Sequence, residues 1–113
     1  MITIYHNPRC SKSREGLELL EKTGKEYSVV KYLDTPLTKI EIKDLLKKLG
    51  IKPLELVRQK EDIWKEHFAA KKLTSVQIIN ALAKYPQLIE RPIIVNGDKA
   101  VIARPAEKAK EIF

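Results

Sequence analysis

Ile2-Thr3-Ile4-Tyr5-His6-Asn7-Pro8-Arg9-Cys10-Ser11-Lys12-Ser13-Arg14 decides how the chain begins to fold. Residues 2–5 alternate and include β-branched side chains, the pattern of a strand. Asn7-Pro8 ends it, because proline lacks the N–H that a sheet ladder needs. Residues 11–22 then read as a helix. Leu17, Leu20 and the neighbouring Leu19 form its stripe, Ser11 or Cys10 stands near the cap, and Gly24 is the stop. Cys10 therefore falls in a loop between a first strand and a first helix, beside the helix N-terminus. Backbone N–H groups there carry partial positive charge and favour an anion. A thiol so placed tends toward the thiolate, the reactive form of cysteine, and Arg9, Lys12 and Arg14 push the same way. A lone cysteine also serves as a small buried hydrophobe. The basic loop and the helix start weigh toward the nucleophile.

Working outward, Tyr27 to Tyr32 reads as a second strand. Strand, helix and strand within about 30 residues make a βαβ unit with parallel strands and a right-handed crossover. Asp34-Thr35-Pro36 is a turn. Thr38-Lys39-Ile40-Glu41 matches a capping box, followed by Ile42, Leu45, Leu46 and Leu49 at helical spacing and Gly50 as a stop. Pro53 starts a short helix with Leu54, Leu56 and Val57 inward and Arg58 near its end. Trp64 and Phe68, four apart, share one face of the next helix, and His67 reads as a surface or packing residue. Thr74-Ser75-Val76-Gln77 is a second capping box, with Val76, Ile79, Leu82 and Ala83 behind it and Pro86 as the end. Ile93-Ile94-Val95 and Ala100-Val101-Ile102 flank Asn96-Gly97, a strong hairpin signal. Pro105 opens a last helix, with Ala109 and Ile112 or Phe113 inward. The expected fold is α/β with a mixed four-stranded sheet. It matches a thioredoxin-like core in a single domain over 1–113, with a helical insertion at about 38–86.

Composition narrows the function. At 113 residues the chain suffices for one core. Its 43% hydrophobic and 33% charged content is that of a soluble globular protein. No apolar run reaches membrane-spanning length, and the first residues lack the pattern of a signal peptide. One cysteine forms no intrachain disulfide, so a reducing cytoplasm is expected. The net charge of +7 admits a nucleic acid or a small anion as partner. The lysines are spread over several helices among Glu and Asp, and aromatics are few, which argues against nucleic acid. No Cys or carboxylate cluster stands at metal-ligand spacing, so no metal is expected.

Two further groups bear on chemistry. Arg91-Pro92 leads into the third strand, and Arg104-Pro105 lies between the last strand and the last helix. Each arginine sits at an element boundary beside a proline. Guanidinium groups pair bidentately with tetrahedral oxyanions, so a thiolate among such arginines suits a reaction on an oxyanion.

With these residues in view, the chain resembles the glutaredoxin-coupled arsenate reductase family over nearly its whole length. The resemblance rests on His6-Asn7-Pro8-Arg9-Cys10 with Ser13-Arg14, on Leu56-Val57-Arg58, on Ile89-Glu90-Arg91-Pro92-Ile93-Ile94-Val95, and on Arg104-Pro105-Ala106-Glu107. It implies that Cys10 is the nucleophile and that His6 helps lower its pKa. It implies that Arg58, Arg91 and Arg104 bind arsenate, and that Arg91-Pro92 is a cis peptide. Ser13, Arg14 and Pro92 take supporting roles. The role of Arg58 comes from the resemblance alone. The implied reaction is reduction of arsenate to arsenite, with glutathione as co-substrate, glutaredoxin as electron donor and no bound cofactor, in a cytoplasmic monomer. With one cysteine, the resolving thiols come from outside. The chain departs from the family pattern at Lys12 and at Glu15-Gly16. It is also similar to the Spx-type transcriptional regulators, which bind RNA polymerase and often carry Cys-x-x-Cys; here the second position is Ser13. An orphan thiol oxidoreductase of the same family is a further alternative.

Overall fold

The computed structural model describes residues 2–113. The chain divides into two compact units: the N-terminal segment through Thr35 together with Arg91–Phe113, and Pro36–Glu90.

In the first unit, β1 (Ile2–Tyr5), β2 (Tyr27–Val30), β3 (Ile93–Asn96) and β4 (Lys99–Ile102) form one four-stranded sheet in the order β2-β1-β3-β4. β1 runs parallel to β2 and antiparallel to β3, and β3 runs antiparallel to β4. This is the mixed sheet that the βαβ and hairpin patterns predict. Helix α1 (Ser11–Thr23) links β1 to β2, and Gly24, at φ 72°, ends it in the left-handed conformation. A 3-10 helix, Ala106–Ile112, packs on α1 and β4. Ile2, Ile4, Leu20, Ile94, Ala103 and Ala109 form the core between these elements.

The sequence-based expectations differ here in three details. β2 stops at Val30, because the Lys31 carbonyl accepts the N–H groups of Asp34 and Thr35 and turns the chain out of the ladder. The face that α1 buries is Ser13, Gly16 and Leu20, with Leu17 and Leu19 only half-buried. Pro105 stands just before the last helix rather than at its first position.

In the second unit, α2 (Lys39–Leu49) and α4 (Ser75–Lys84) both begin with complete capping boxes, at Thr38/Glu41 and Thr74/Gln77. α4 packs against α2 and against 3-10 turns at Pro53–Leu56 and Pro86–Leu88. Residues 56–58 and 88–90 are tied together: Arg58 N–H donates to the Leu88 carbonyl at 2.7 Å, and Glu90 N–H to the Leu56 carbonyl at 2.8 Å. The short helix α3 (Asp62–His67) buries Trp64, whose ring stacks on Phe68 at 5.4 Å between centroids. Two inward assignments are corrected. Leu54 is 42% exposed, since a 3-10 turn eclipses residues i and i+3 and leaves Leu54 off the face of Leu56. Val76 is 61% exposed, because α4 turns Ile78, Ile79 and Leu82 inward and Val76 lies on the opposite side.

Candidate active site

Cys10 is the N-cap of α1. Its carbonyl accepts the first helical bond, from Arg14 N–H at 3.0 Å, and its own N–H donates to the Asn7 carbonyl at 3.0 Å. The thiol is half-buried. Burial alone pushes the Cys10 pKa up, but the N–H of Ser13, the hydrogen bond and charge of Arg91, and the N–H of Lys12 outweigh it, and the net shift is downward. Ser13 and Lys12 lie in the first turn, whose amides have no intrahelical partner. The Cys10 side chain makes no formed capping hydrogen bond, so these amides act on the sulfur through their dipoles.

The loop behind Cys10 is fixed from inside. His6, Asn7 and Ser13 are the buried polar residues of the described chain. The Ser13 hydroxyl lies 2.7 Å from His6 Nδ1 and accepts the Asn7 N–H at 2.9 Å. Asn7 Oδ1 accepts the Arg9 N–H at 3.0 Å, an Asx turn that sets the backbone entering Cys10. Burial and then the charge of Lys31 lower the His6 pKa, against a hydrogen bond to the Ser13 backbone that raises it, so the ring favours its neutral form. His6 thus touches the site as a neutral hydrogen-bonding partner of Ser13. Arg14 points back along the loop, where Nη1 donates to the Pro8 carbonyl at 3.0 Å.

Arg91 and Pro92 are joined by a cis peptide bond, and so are Arg104 and Pro105. Arg91 reaches Cys10, yet its Nε and Nη1 are buried without a hydrogen-bond partner. Buried cationic donors left unsatisfied are costly, and a bound oxyanion supplies the acceptors they lack. Arg104 Nη1 lies 3.5 Å from the Arg91 carbonyl, at the long end of a hydrogen bond. Pro92 is buried against α1 at Gly16: a Cβ there would stand 2.8 Å from Pro92 Cγ. Glycine at position 16 thus fits a close helix–proline approach.

The first unit therefore brings together Cys10, His6, Ser13, Arg91, Pro92 and Arg104, with Arg14 on the loop. Arg58 belongs to the second unit, where its Nε lies 3.8 Å from a Glu61 carboxylate oxygen and its Nε and Nη1 are buried without a hydrogen-bond partner. The structural roles of two residues escaped the sequence reading. Asn7 read as a strand end and as part of the His6–Cys10 motif, although Asn-Pro also signals an Asx turn. Gly16 stood out only within Glu15-Gly16, because its packing role depends on Pro92, far along the chain.

Residues 5–112 match the model of the ArsC family. The chain belongs to the ArsC family. It is 43% identical to the arsenate reductase of Neisseria meningitidis serogroup A, over 99% of this chain and 97% of that protein. It is 50% identical to the uncharacterized protein YfgD of Escherichia coli K12, over 98% of this chain and 95% of the relative. Its fold superposes on the arsenate reductase from Vibrio cholerae with a TM-score of 0.96 at 42% identity, covering 99% of this chain and 97% of that one. The thioredoxin-like α/β fold of the ArsC family is thus the fold of this chain. Among the described residues, no helix is long and apolar enough to cross a membrane.

Proposed function

We propose that this ArsC-family chain reduces arsenate to arsenite, with Cys10 as the nucleophile. The observation that carries the reading is Cys10 at the start of α1 beside Arg91, whose buried Nε and Nη1 have no acceptor. Arg91 and Arg104 hold the oxyanion through charge-assisted hydrogen bonds. For Arg58 the same role rests on the family resemblance. His6, Ser13 and Asn7 keep the Cys10 loop in shape.

The Cys10 thiolate attacks arsenic and displaces one oxygen as water, forming an S–As bond with arsenic still pentavalent. Glutathione displaces a second oxygen the same way, giving arsenic bound to both sulfurs. A glutaredoxin thiolate then attacks the glutathione sulfur. The S–As bond breaks, its electron pair stays on arsenic, and a glutaredoxin–glutathione disulfide leaves. Hydrolysis of the remaining S–As bond releases arsenite and restores Cys10. Two external thiols are oxidised and one As(V) becomes As(III). The reaction suits a reducing cytoplasm, which keeps Cys10 and glutathione as thiols.

The test is arsenate-dependent NADPH oxidation in a coupled assay with glutathione, glutathione reductase and glutaredoxin. Turnover is expected for the unmodified chain, none for Cys10→Ser, and about 100-fold less for Arg91→Ala, the scale for losing one oxyanion-stabilising donor. The alkylation rate of Cys10 against pH should show a midpoint below about 8.5. It should move upward in Arg91→Ala, since Arg91 lowers the thiol pKa by hydrogen bond and charge. Absence of arsenate turnover in the unmodified chain refutes the assignment.

A further inference from the structure

A cavity of 260 Å³ opens beside the His6–Arg9 loop that leads directly into Cys10, within the first unit. Arg9, Lys31 and Asp34 line it, with Asn7 and Leu33 between them. Arg9 directly precedes the nucleophile, and the Asn7 side chain holds its N–H. Lys31 and Asp34 are set by their shared turn, in which Asp34 N–H donates to the Lys31 carbonyl at 3.0 Å. None of the three charged side chains forms an ion pair among the described residues.

The sign pattern restricts the ligand. Two cations suit carboxylates, and Asp34 suits an ammonium group. A simple oxyanion would meet repulsion from Asp34, and a neutral thiol would use none of these charges. A molecule with two carboxylates and one ammonium carries a net charge of −1, against +1 on the three side chains. We propose that this cavity is the subsite for the small external thiol, and that it recognises the charged ends of a zwitterionic peptide thiol of the glutathione class. Arg9 and Lys31 bind its carboxylates, and Asp34 binds its ammonium. The proposal rests on the reading that Cys10 is resolved by an outside thiol. It explains how a chain with one cysteine selects that thiol.

The test needs no arsenate. Cys10 is first converted to its mixed disulfide with 2-thiopyridine. An added thiolate attacks the Cys10 sulfur, the S–S bond breaks, and 2-thiopyridone leaves with the electron pair and takes a proton. One disulfide replaces another, and the released thiopyridone is followed by absorbance. Three thiols are compared: glutathione, 3-mercaptopropionate with a carboxylate only, and neutral 2-mercaptoethanol. Each rate in Lys31→Gln and Asp34→Asn is taken relative to the unmodified chain, and the 2-mercaptoethanol rate corrects for any change at Cys10 itself.

Because the charges are exposed, the expected effect is modest. The corrected glutathione rate falls about two- to five-fold in each variant. For 3-mercaptopropionate it falls in Lys31→Gln and holds or rises in Asp34→Asn. Unchanged corrected glutathione rates in either variant overturn the proposal, as does a rise in Asp34→Asn. Titration with S-methylglutathione, followed by amide NMR, is a second readout. Saturable shifts centred on Arg9, Lys31 and Asp34 support the subsite, and shifts centred elsewhere overturn it. Failure of these arms leaves the arsenate reading standing. Failure of the arsenate assay with these arms positive points to a thiol oxidoreductase on the same cysteine.

Discussion

Gly16→Ala tests whether the approach of α1 to Pro92 builds the site. Position 16 is buried in the helix, and an added Cβ would stand 2.8 Å from Pro92 Cγ and 3.7 Å from Ile4 Cδ1. The second distance is ordinary contact; the first is not, and a proline ring cannot swing aside as a long side chain would. Two terms oppose each other. Alanine in place of glycine inside a helix stabilises by about 0.5–1 kcal/mol. Overpacking a well-filled core costs about 1–3 kcal/mol. The clash should win, with a net loss of about 1 kcal/mol and a fall in Tm of roughly 4 °C for a domain of this size. Because Pro92 is bonded to Arg91, the displacement also loosens the Arg91–Cys10 contact and raises the thiol pKa. Urea denaturation measures the first effect and the alkylation pH profile the second. Glu18→Ala, exposed on the same helix, serves as the reference for a substitution without a clash. A Gly16→Ala chain at least as stable as its parent, with an unmoved alkylation midpoint, would refute the reasoning.

Ser13→Ala should destabilise by about 2–4 kcal/mol, since it strips a partner from the buried Asn7 N–H and from His6, and each unsatisfied buried group costs about 1–3 kcal/mol. A urea midpoint corresponding to less than 1 kcal/mol lost, on the order of a surface change, would show that the network is slack. His6 makes stability pH-dependent. Its folded-state pKa lies below the ordinary 6.5, so between the two values the unfolded chain binds more protons. Its contribution is therefore intact above about pH 6.5 and lost as pH falls through the lowered folded value. Urea midpoints measured from about pH 7.5 down to about 5 should decline, less steeply in His6→Gln. Equal slopes in the two proteins would remove His6 from that account.

The sequence alone determined most of the elements and placed Cys10 at a helix start. Alternation at residues 2–5, the capping boxes at Thr38 and Thr74, and Asn96-Gly97 between apolar runs are local signals; the strand at 2–5 is completed by pairing with β2 and β3, while the capping boxes and the hairpin close between near neighbours. The same holds for Cys10 at the start of α1, because a helix end is a property of neighbouring residues. What only tertiary structure decided lies between residues distant in sequence. The turn at Lys31 shortened β2, and the 3-10 geometry after Pro53 turned Leu54 outward. Arg91 came to Cys10 because β3 pairs with β1 and delivers position 91 beside the start of α1. His6 is charge-poor because burial and Lys31 act on it together. Packing sums small contributions from several segments at one point in space, and no stretch of the chain read alone contains that sum.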